Sequence, residues 1–177
     1  EISWHKKRGE SMAKATRKKA VTKQARKASS RPVARRRKPS GAPQRRRIRQ
    51  ITSASVPEPA GRSYSNCLVF GDTVYLAGMT ASNGKGGIDG NGTPHGQARQ
   101  CLLKIRRMLK AVGCSMRDVV KLTVYVTDSG MRPDLVRARS EFFTSPLPCS
   151  TLVQVAALAE PRLVIEIDAT AVIQGEP

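Results

Sequence analysis

Residues 119–126 read VVKLTVYV, and this stretch decides the fold. Apolar and polar residues alternate along it, which is the period expected of a strand with one buried face. The segment before it has a different period. From 101 to 112 the apolar residues recur at helical spacing, Thr93 and Pro94 precede them as an N-cap and a first-turn residue, and Gly113 follows. A helix feeding directly into an amphipathic strand predicts a layered domain in which the helix covers the apolar face of the strand.

Upstream of this helix, two short apolar runs indicate a hairpin. Residues 67–70 and 73–78 are separated by Gly71-Asp72, a pair typical of tight turns between strands. The segment SNGKGGIDGNG at 82–92 has five glycines and no periodicity. We therefore expect a loop there, long enough to form a mobile flap beside a site.

Downstream, the pattern predicts one more helix and two more strands. The helix is expected over 132–143, where apolar residues line one side before the prolines at 146 and 148. The strands are expected over 151–156 and 163–172. The predicted order of elements is therefore β-β-α-β-α-β-β.

This order predicts one α/β (α+β) domain over residues 51–177, with a mixed sheet and both helices on one face. In the last strand, Ile165, Ile167 and Ala169 are expected under the helices. The opposite face is polar, and it is either wet or closed by another subunit. It carries Lys121, Thr123, Tyr125, Glu166, Asp168 and Thr170.

The first fifty residues form a basic leader. Residues 1–50 hold 19 of the 32 Lys and Arg but only two acidic residues, so they carry 19 − 2 = +17 of the formal charge of +19. So few apolar residues cannot offset the entropy of ordering the segment, and we predict disorder. A marginal helix over 12–28 and an organellar transit peptide are the alternatives. The cationic stretch 14–49 indicates nucleic acid as a partner.

Other classes are excluded by composition. The chain has no apolar run of about 18 residues and its leader has no secretory apolar segment, so we expect a cytoplasmic protein without a membrane contact. The four cysteines lie far apart without a CxxC pair, which argues against a zinc site or a disulfide framework. We predict reduced thiols and no bound metal.

Five strings resemble the RidA/YjgF family in their order and spacing, and the resemblance covers Gly61 to Val172. It implies a chorismate-mutase-like fold and a homotrimer whose sheets face inward and whose clefts lie between neighbouring subunits. It also implies hydrolysis of reactive 2-imino acids to 2-oxo acids and ammonia, with no cofactor. The strings are GDTVYLAGMT, AVGCSMRDVVKLTVYVTD, SEFFTSPLP, VAAL and IEIDATAV.

The same resemblance implies roles for individual residues. Glu166 matches the acidic residue that handles the water and the proton, and Tyr64 matches the family's tyrosine near the domain start. These two are the predicted catalytic residues. Gly78 matches a glycine whose backbone lines the cleft, and Ala77 precedes it. A carboxylate near a subunit seam often only pairs with a Lys or Arg across it, so a purely structural Glu166 is the alternative.

One departure from the family pattern concerns substrate binding. The family's P-A-R-S-x-V-x-V block aligns on residues 148–155, which places Ser150 where the carboxylate-binding arginine stands. A hydroxyl reproduces neither the charge nor the reach of a guanidinium. The second helix departs too, with Val136 and Arg139 in place of an asparagine and a tyrosine. We therefore expect a different imine or enamine as substrate, uncharged or larger. The predicted contacts are Ser150, Thr151, Cys149 and Arg139.

Three readings of function remain open. The chain is a hydrolytic deaminase with altered preference, a catalytically silent trimer that binds a metabolite, or a nucleic-acid-binding protein acting through its leader. Two further residues each have two possible roles. Cys149 is either a nucleophile or a buried thiol without a catalytic role, and His95 is either a general base or a surface residue.

Overall fold

A computed structural model describes residues 47–58, 61 and 63–174 of the chain. The predicted disorder of the leader and the alternative helix over 12–28 lie outside these residues. The described part contains six strands and two α-helices. They are β1 (Ile48–Gln50), β2 (Cys67–Phe70), β3 (Thr73–Thr80), α1 (Pro94–Val112), β4 (Val119–Val126), α2 (Arg132–Ser140), β5 (Cys149–Gln154) and β6 (Ile165–Val172).

The strands form one mixed sheet in the order β1-β2-β3-β6-β4-β5. All neighbours are antiparallel except β4 and β5, which run parallel because α2 connects them. The mixed sheet with two helices is confirmed. The strand β1 is an addition: Ile48 pairs with Phe70 and Gln50 with Leu68, three residues before the expected start of the domain at Ile51.

The helix α1 begins and ends as its sequence predicts. The Thr93 hydroxyl accepts a hydrogen bond from the Gly96 N–H at 3.0 Å, and Pro94 starts the first turn. At the other end Gly113 adopts a φ of 88°, a left-handed conformation that glycine adopts without strain, and its N–H bonds back to the helix carbonyls. Between these caps the apolar face is buried, with Cys101, Leu102, Ile105, Met108 and Leu109 fully covered.

The second helix is shorter than predicted. It ends at Ser140 rather than Phe143. Immediately after it, Glu141 accepts hydrogen bonds from His95 at 2.9 Å and from Arg99 at 2.7 Å, which ties this end of α2 to α1. Phe142 and Phe143 follow as a turn, and Phe143 is buried in the core.

The last two strands are displaced by two residues from their predicted starts. Strand β5 begins at Cys149 rather than Thr151, and β6 at Ile165 rather than Leu163. The delay in β6 has a visible cause: the buried side chain of Gln97 bonds to the Arg162 carbonyl and to the Val164 N–H, at 2.9 and 3.0 Å. These backbone groups therefore pair with α1 before the sheet begins.

The core lies between the helices and one face of the sheet. Alternate residues of β4 and β6 are buried there, as predicted: Leu122, Val124, Val126, Ile165, Ile167 and Ala169. Among residues 47–58, 61 and 63–174, no layer covers the opposite face, and Tyr75, for example, is 50% exposed on it. No helix in the described residues is long and apolar enough to cross a membrane.

Candidate functional site

Glu166 lies against Gly78, on the uncovered face of the sheet. Strands β3 and β6 pair with a register shift between Leu76 and Met79, and Gly78 stands within that irregularity. A Cβ built on Gly78 would lie 1.7 Å from Oε1 of Glu166 and 2.6 Å from its Cδ. The carboxylate can lie there only because residue 78 has no side chain. A glycine is therefore needed at this position for steric reasons and not for its backbone conformation.

The surroundings of Glu166 favour its protonated form. Partial burial raises the pKa of this carboxyl above its ordinary value, and the charge of Asp168 on the same strand raises it further. Among the described residues, no hydrogen-bond donor contributes to the stabilisation of its charged form. A carboxyl whose pKa is raised can act as a general acid and, after donating its proton, as a base.

The glycine-rich segment beside this end of the sheet is an organised loop. Its backbone turns back on itself through an Asn83 N–H···O Gly87 bond of 2.9 Å, and Ser82 and Ile88 form a bridge. Arg162 donates to the Gly86 carbonyl at 2.9 Å, which joins the loop to the chain entering β6.

Lys104 fixes the start of the same loop. Its ammonium group, on α1, donates to the carbonyls of Thr80 and Ser82, at 2.8 and 2.5 Å. Thr80 is the register partner of Glu166. Burial lowers the pKa of Lys104, as expected for an ammonium group drawn out of water to reach two carbonyls. The predicted flap is therefore held at its start and at Gly86.

Tyr64 lies on the segment that leads into β2, which pairs with β3. The Ala77 N–H bonds to the Asn66 carbonyl at 3.0 Å, so the segment before β2 continues alongside β3 next to Ala77 and Gly78. The ring of Tyr64 is 56% exposed. Ala77, Gly78 and Glu166 thus lie in one region, and Tyr64 stands two residues before Asn66 on the segment that enters it.

Ser150 is separated from that region. Its register partner on β4 is Leu122, which is fully buried under the helices, so Ser150 stands on the helix side of the sheet. Glu166 stands on the other side. Two strand spacings of about 4.8 Å and three residues of about 3.3 Å separate the two positions, which amounts to roughly 14 Å. One chain alone therefore does not bring Ser150 and Glu166 together.

The neighbours of Ser150 face the other way. Cys149 pairs with Lys121 and Thr151 with Thr123, so both lie on the uncovered face, and both are exposed. Thr123 also pairs with Asp168 across β4 and β6. Thr151, Thr123 and Asp168 thus form one row across the sheet, two residues along β6 from Glu166.

Arg139 lies on the helix side with Ser150. Glu141, which contacts α1, lies two residues later, and at 3.6 residues per turn this puts Arg139 on the flank of α2 that points away from α1. Its guanidinium is half-buried, and burial lowers its pKa. Within the described residues it has no carboxylate partner at ion-pair distance.

The two alternative reactive residues have different surroundings. His95 bonds to Glu141 at 2.9 Å in the α1–α2 contact, away from Glu166, as the surface reading predicts. The Cys149 thiol is exposed, whereas burial raises the pKa of the Cys101 thiol to about 12. The described residues contain no cluster of three His, Cys, Asp or Glu side chains that could hold a metal ion.

A cleft of about 350 Å³ lies elsewhere, at the end of the sheet where β4 and β5 begin. Its lining includes Met116, Arg117, Phe142 and Gln174. None of the predicted site residues lines it. We give it less weight than the Glu166 region, because it holds no group suited to proton transfer.

Sequence reasoning missed two features of the Glu166 region. Tyr125 donates a hydrogen bond from its hydroxyl to Asp168 at 3.3 Å, and Lys104 bonds to the loop. The alternation of 119–126 placed Tyr125 on the correct face, and this was the available signal. The contact of Lys104 had no such signal, because helical spacing cannot show that a nearby loop offers carbonyls.

Comparisons with known proteins agree with the fold and the resemblance. The sequence profile of the family described as Endoribonuclease L-PSP matches residues 54–173. A 2-iminobutanoate/2-iminopropanoate deaminase of Dermatophagoides farinae is 32% identical over 126 residues, which cover 71% of this chain and 97% of the relative. The human protein of the same name is 33% identical, over 72% of this chain and 90% of its own.

Solved structures give the same result. A protein of unknown function from Pseudomonas aeruginosa superposes with a TM-score of 0.66 at 35% identity, covering 72% of this chain and 94% of its own. The YjgF gene product of E. coli superposes with a TM-score of 0.65 at 28% identity, covering 71% and 99%.

Proposed function

Because this chain belongs to the RidA/YjgF family, we propose that it is a hydrolytic deaminase of a small imine or enamine, with a substrate preference different from that of its relatives. The observation that carries the proposal is the Glu166 carboxyl held over Gly78, with its pKa raised by burial. Relatives at 32–33% identity are named 2-iminobutanoate/2-iminopropanoate deaminases, which supports the reaction class.

The proposed chemistry uses the Glu166 proton twice. Glu166 protonates the imine nitrogen, water adds to the carbon, and the carboxylate recovers a proton from the added water. In the second half Glu166 protonates the amine nitrogen, the C–N bond breaks, and the carboxylate takes the hydroxyl proton as the carbonyl forms. One water is consumed and one ammonia leaves, and Glu166 returns to its starting state.

We further propose that the complete cleft forms between copies of the chain, in a homotrimer. The separation of Ser150 from Glu166 within one chain supports this, since a second copy can bring its Ser150 side to the Glu166 side of the first. Tyr64, Ala77 and Gly78 would come from the subunit that supplies Glu166. Ser150, Thr151, Cys149 and Arg139 would line the cleft from the neighbour. We place the activity in the cytoplasm, since the leader lacks a secretory apolar run.

The test is ammonia release over a panel of imines and enamines, some with a carboxylate and some without, corrected for spontaneous hydrolysis. The matched variant is Glu166→Gln, which keeps the shape of the side chain and removes its acid group. We expect a loss of about 100-fold or more in kcat/KM, as for removal of a general acid–base group. Equal rates for the two proteins on every substrate would contradict the proposal.

The alternative function for the same site is a trimer that binds a metabolite without catalysing a reaction. The observation in its favour is that Ser150 supplies no cation where relatives are expected to bind a carboxylate. Calorimetric binding of a panel member without any rate above spontaneous hydrolysis would select this reading over the deaminase.

A second activity concerns the leader. Its formal charge of +17 favours binding of nucleic acid by residues 14–49, with release of counterions. The test is DNA and RNA affinity of the full chain and of a chain beginning at Arg47, across salt concentrations. We expect affinity to fall steeply with salt and with truncation. An affinity that changes with neither would contradict it.

A further inference from the structure

Asp168 and Tyr125 accompany Glu166 on the uncovered face of the sheet. Asp168 lies two residues along β6, so its side chain points to the same side as that of Glu166. Tyr125 is the register partner of Glu166 on β4. Its hydroxyl donates to Oδ2 of Asp168 at 3.3 Å. The ring thus lies beside Glu166 while its hydroxyl reaches the neighbouring acid.

The two carboxyl groups are treated differently by the protein. Asp168 accepts two hydrogen bonds, from the Tyr125 hydroxyl and, at 3.2 Å, from the Thr123 N–H. Glu166 is partly buried, and no hydrogen bond from the described residues stabilises its charge. Hydrogen bonds to a carboxylate favour its ionised form, and burial favours the protonated form.

Two neighbouring carboxyl groups that interact release their protons as a coupled pair, and the environment decides which one ionises first. We propose that Tyr125 and Asp168 are positioning residues: Tyr125 holds the Asp168 carboxylate on the same face as Glu166, and the negative charge of Asp168 keeps the proton on Glu166. The catalytic role of this proton rests on the proposed function, whereas its location on Glu166 does not. Neither residue is placed in contact with substrate.

The other charged and titratable groups near Glu166 do not supply this effect. Its β3 neighbours, Gly78 and Thr80, carry no charge. On α1, across the sheet, Lys104 is engaged by the Thr80 and Ser82 carbonyls, with Asp89 near it. Cys101 is a neutral thiol, since burial raises its pKa to about 12.

Two cations also belong to this neighbourhood. Lys121 shares the face of Glu166 but pairs with Thr170, four residues along β6. Arg162 is engaged by Glu160 and the Gly86 carbonyl. Asp168 is thus the charged group on the same strand face whose removal should change Glu166 most.

The experiment is a carboxyl titration of the full chain by ¹³C NMR, with labelled Glu and Asp and with Glu166→Gln to assign the signal. In Asp168→Asn the midpoint of Glu166 should move to lower pH, because the neighbouring negative charge is gone. In Tyr125→Phe the midpoint of Glu166 should also move to lower pH, by less, because the Asp168 carboxylate loses the hydrogen bond that holds it and can turn away from Glu166. The control is Tyr75→Phe, which removes a half-exposed hydroxyl from the same face.

Activity gives a second, separate measurement. With Glu166 as the acid, Asp168→Asn should move the alkaline fall of the kcat/KM profile to lower pH, because Glu166 then loses its proton at lower pH. An unmoved Glu166 midpoint in both variants, or an equal shift in Tyr75→Phe, overturns the inference. If Asp168→Asn does not fold, Tyr125→Phe decides alone.

The two failures can be told apart. Shifted midpoints in a protein that hydrolyses no imine would refute the deaminase proposal and support the proton location. Turnover that depends on Glu166, with a Glu166 midpoint that is the same in the Asp168 and Tyr125 variants, would support the deaminase proposal and refute the proposed role of Asp168 and Tyr125.

Discussion

Gly78 and Glu166 share one space between β3 and β6, because a methyl group on Gly78 would stand 1.7 Å from Oε1 of Glu166. Gly78→Ala must therefore displace the carboxylate. We expect kcat/KM to fall about tenfold to 100-fold, and the free energy of unfolding by about 1–3 kcal/mol, as for overpacking. Ammonia release and urea denaturation measure the two effects.

A double-mutant cycle gives the control for this prediction. Glu166→Ala removes the atoms that the new methyl group would meet, so Gly78→Ala should cost much less stability in that background. Equal costs in the two backgrounds would show that the glycine is needed for some other reason.

Ser150→Arg tests the missing cation. A guanidinium at 150 would restore a charge-assisted contact to a carboxylate, with a net value of about 1.5–3 kcal/mol. We expect kcat/KM to rise about tenfold to 100-fold for imines that carry a carboxylate and to stay level for uncharged ones. The control is Ser150→Met, which adds length without charge. An equal response of the two substrate classes to Ser150→Arg would argue against carboxylate binding at this position.

Glu166 should also make stability depend on pH. The pKa of Glu166 is raised in the folded protein. As pH rises, the carboxyl therefore ionises more readily in the unfolded chain than in the folded one, and the free energy of unfolding falls. Glu166 therefore destabilises the protein above the unfolded pKa of a glutamate and has no such effect in acid. We expect Glu166→Gln to raise the unfolding free energy at pH 7 and to change it little at pH 3.5, in matched urea denaturations. A stabilisation of equal size at both pH values would point to another cause.

Lys104 should hold the loop after β3. Replacing it with Met removes the hydrogen bonds to the Thr80 and Ser82 carbonyls and leaves two acceptors that must find water. We expect a loss of about 1–3 kcal/mol and faster hydrogen exchange at residues 81–92. The control is Arg107→Met, a change on the exposed side of the same helix. A comparable loss in both variants would mean that helix charge, not the loop contact, is responsible.

Local signals predicted much of this fold. The caps and periodicity of α1, the Gly71 turn and the alternation of β4 from Leu122 to Val126 each depend on a few neighbouring residues, and each is confirmed. At the start of β4 the alternation is broken, because Val119 is buried and Val120 is 45% exposed. Strand β1 was missed because its three residues, two of them polar, are all exposed, so burial leaves no pattern. The early end of α2 depends on Glu141 meeting His95 and Arg99, 42 to 46 residues away.

The candidate site was less accessible from sequence. Glu166 and Gly78 came from the family resemblance, and the chain alone gives no reason to place them in contact. The side of the sheet on which Ser150 stands follows from the parallel register of β4 and β5, which the connecting loop sets. The hydrogen bond from Tyr125 to Asp168 depends on a second alignment, that of β4 with β6.

The short strand β1 also decides where the leader can safely be removed. A cut at Ile51 would strip Ile48–Gln50 from β2 and leave the backbone donors and acceptors of Cys67–Phe70 without partners along the outer rim. An unprotected rim of this kind recruits strands from other molecules and promotes aggregation. A chain that begins at Ile51 would then lose solubility for reasons unrelated to its missing charges. Aggregation of this truncated chain could be mistaken for a loss of nucleic-acid binding.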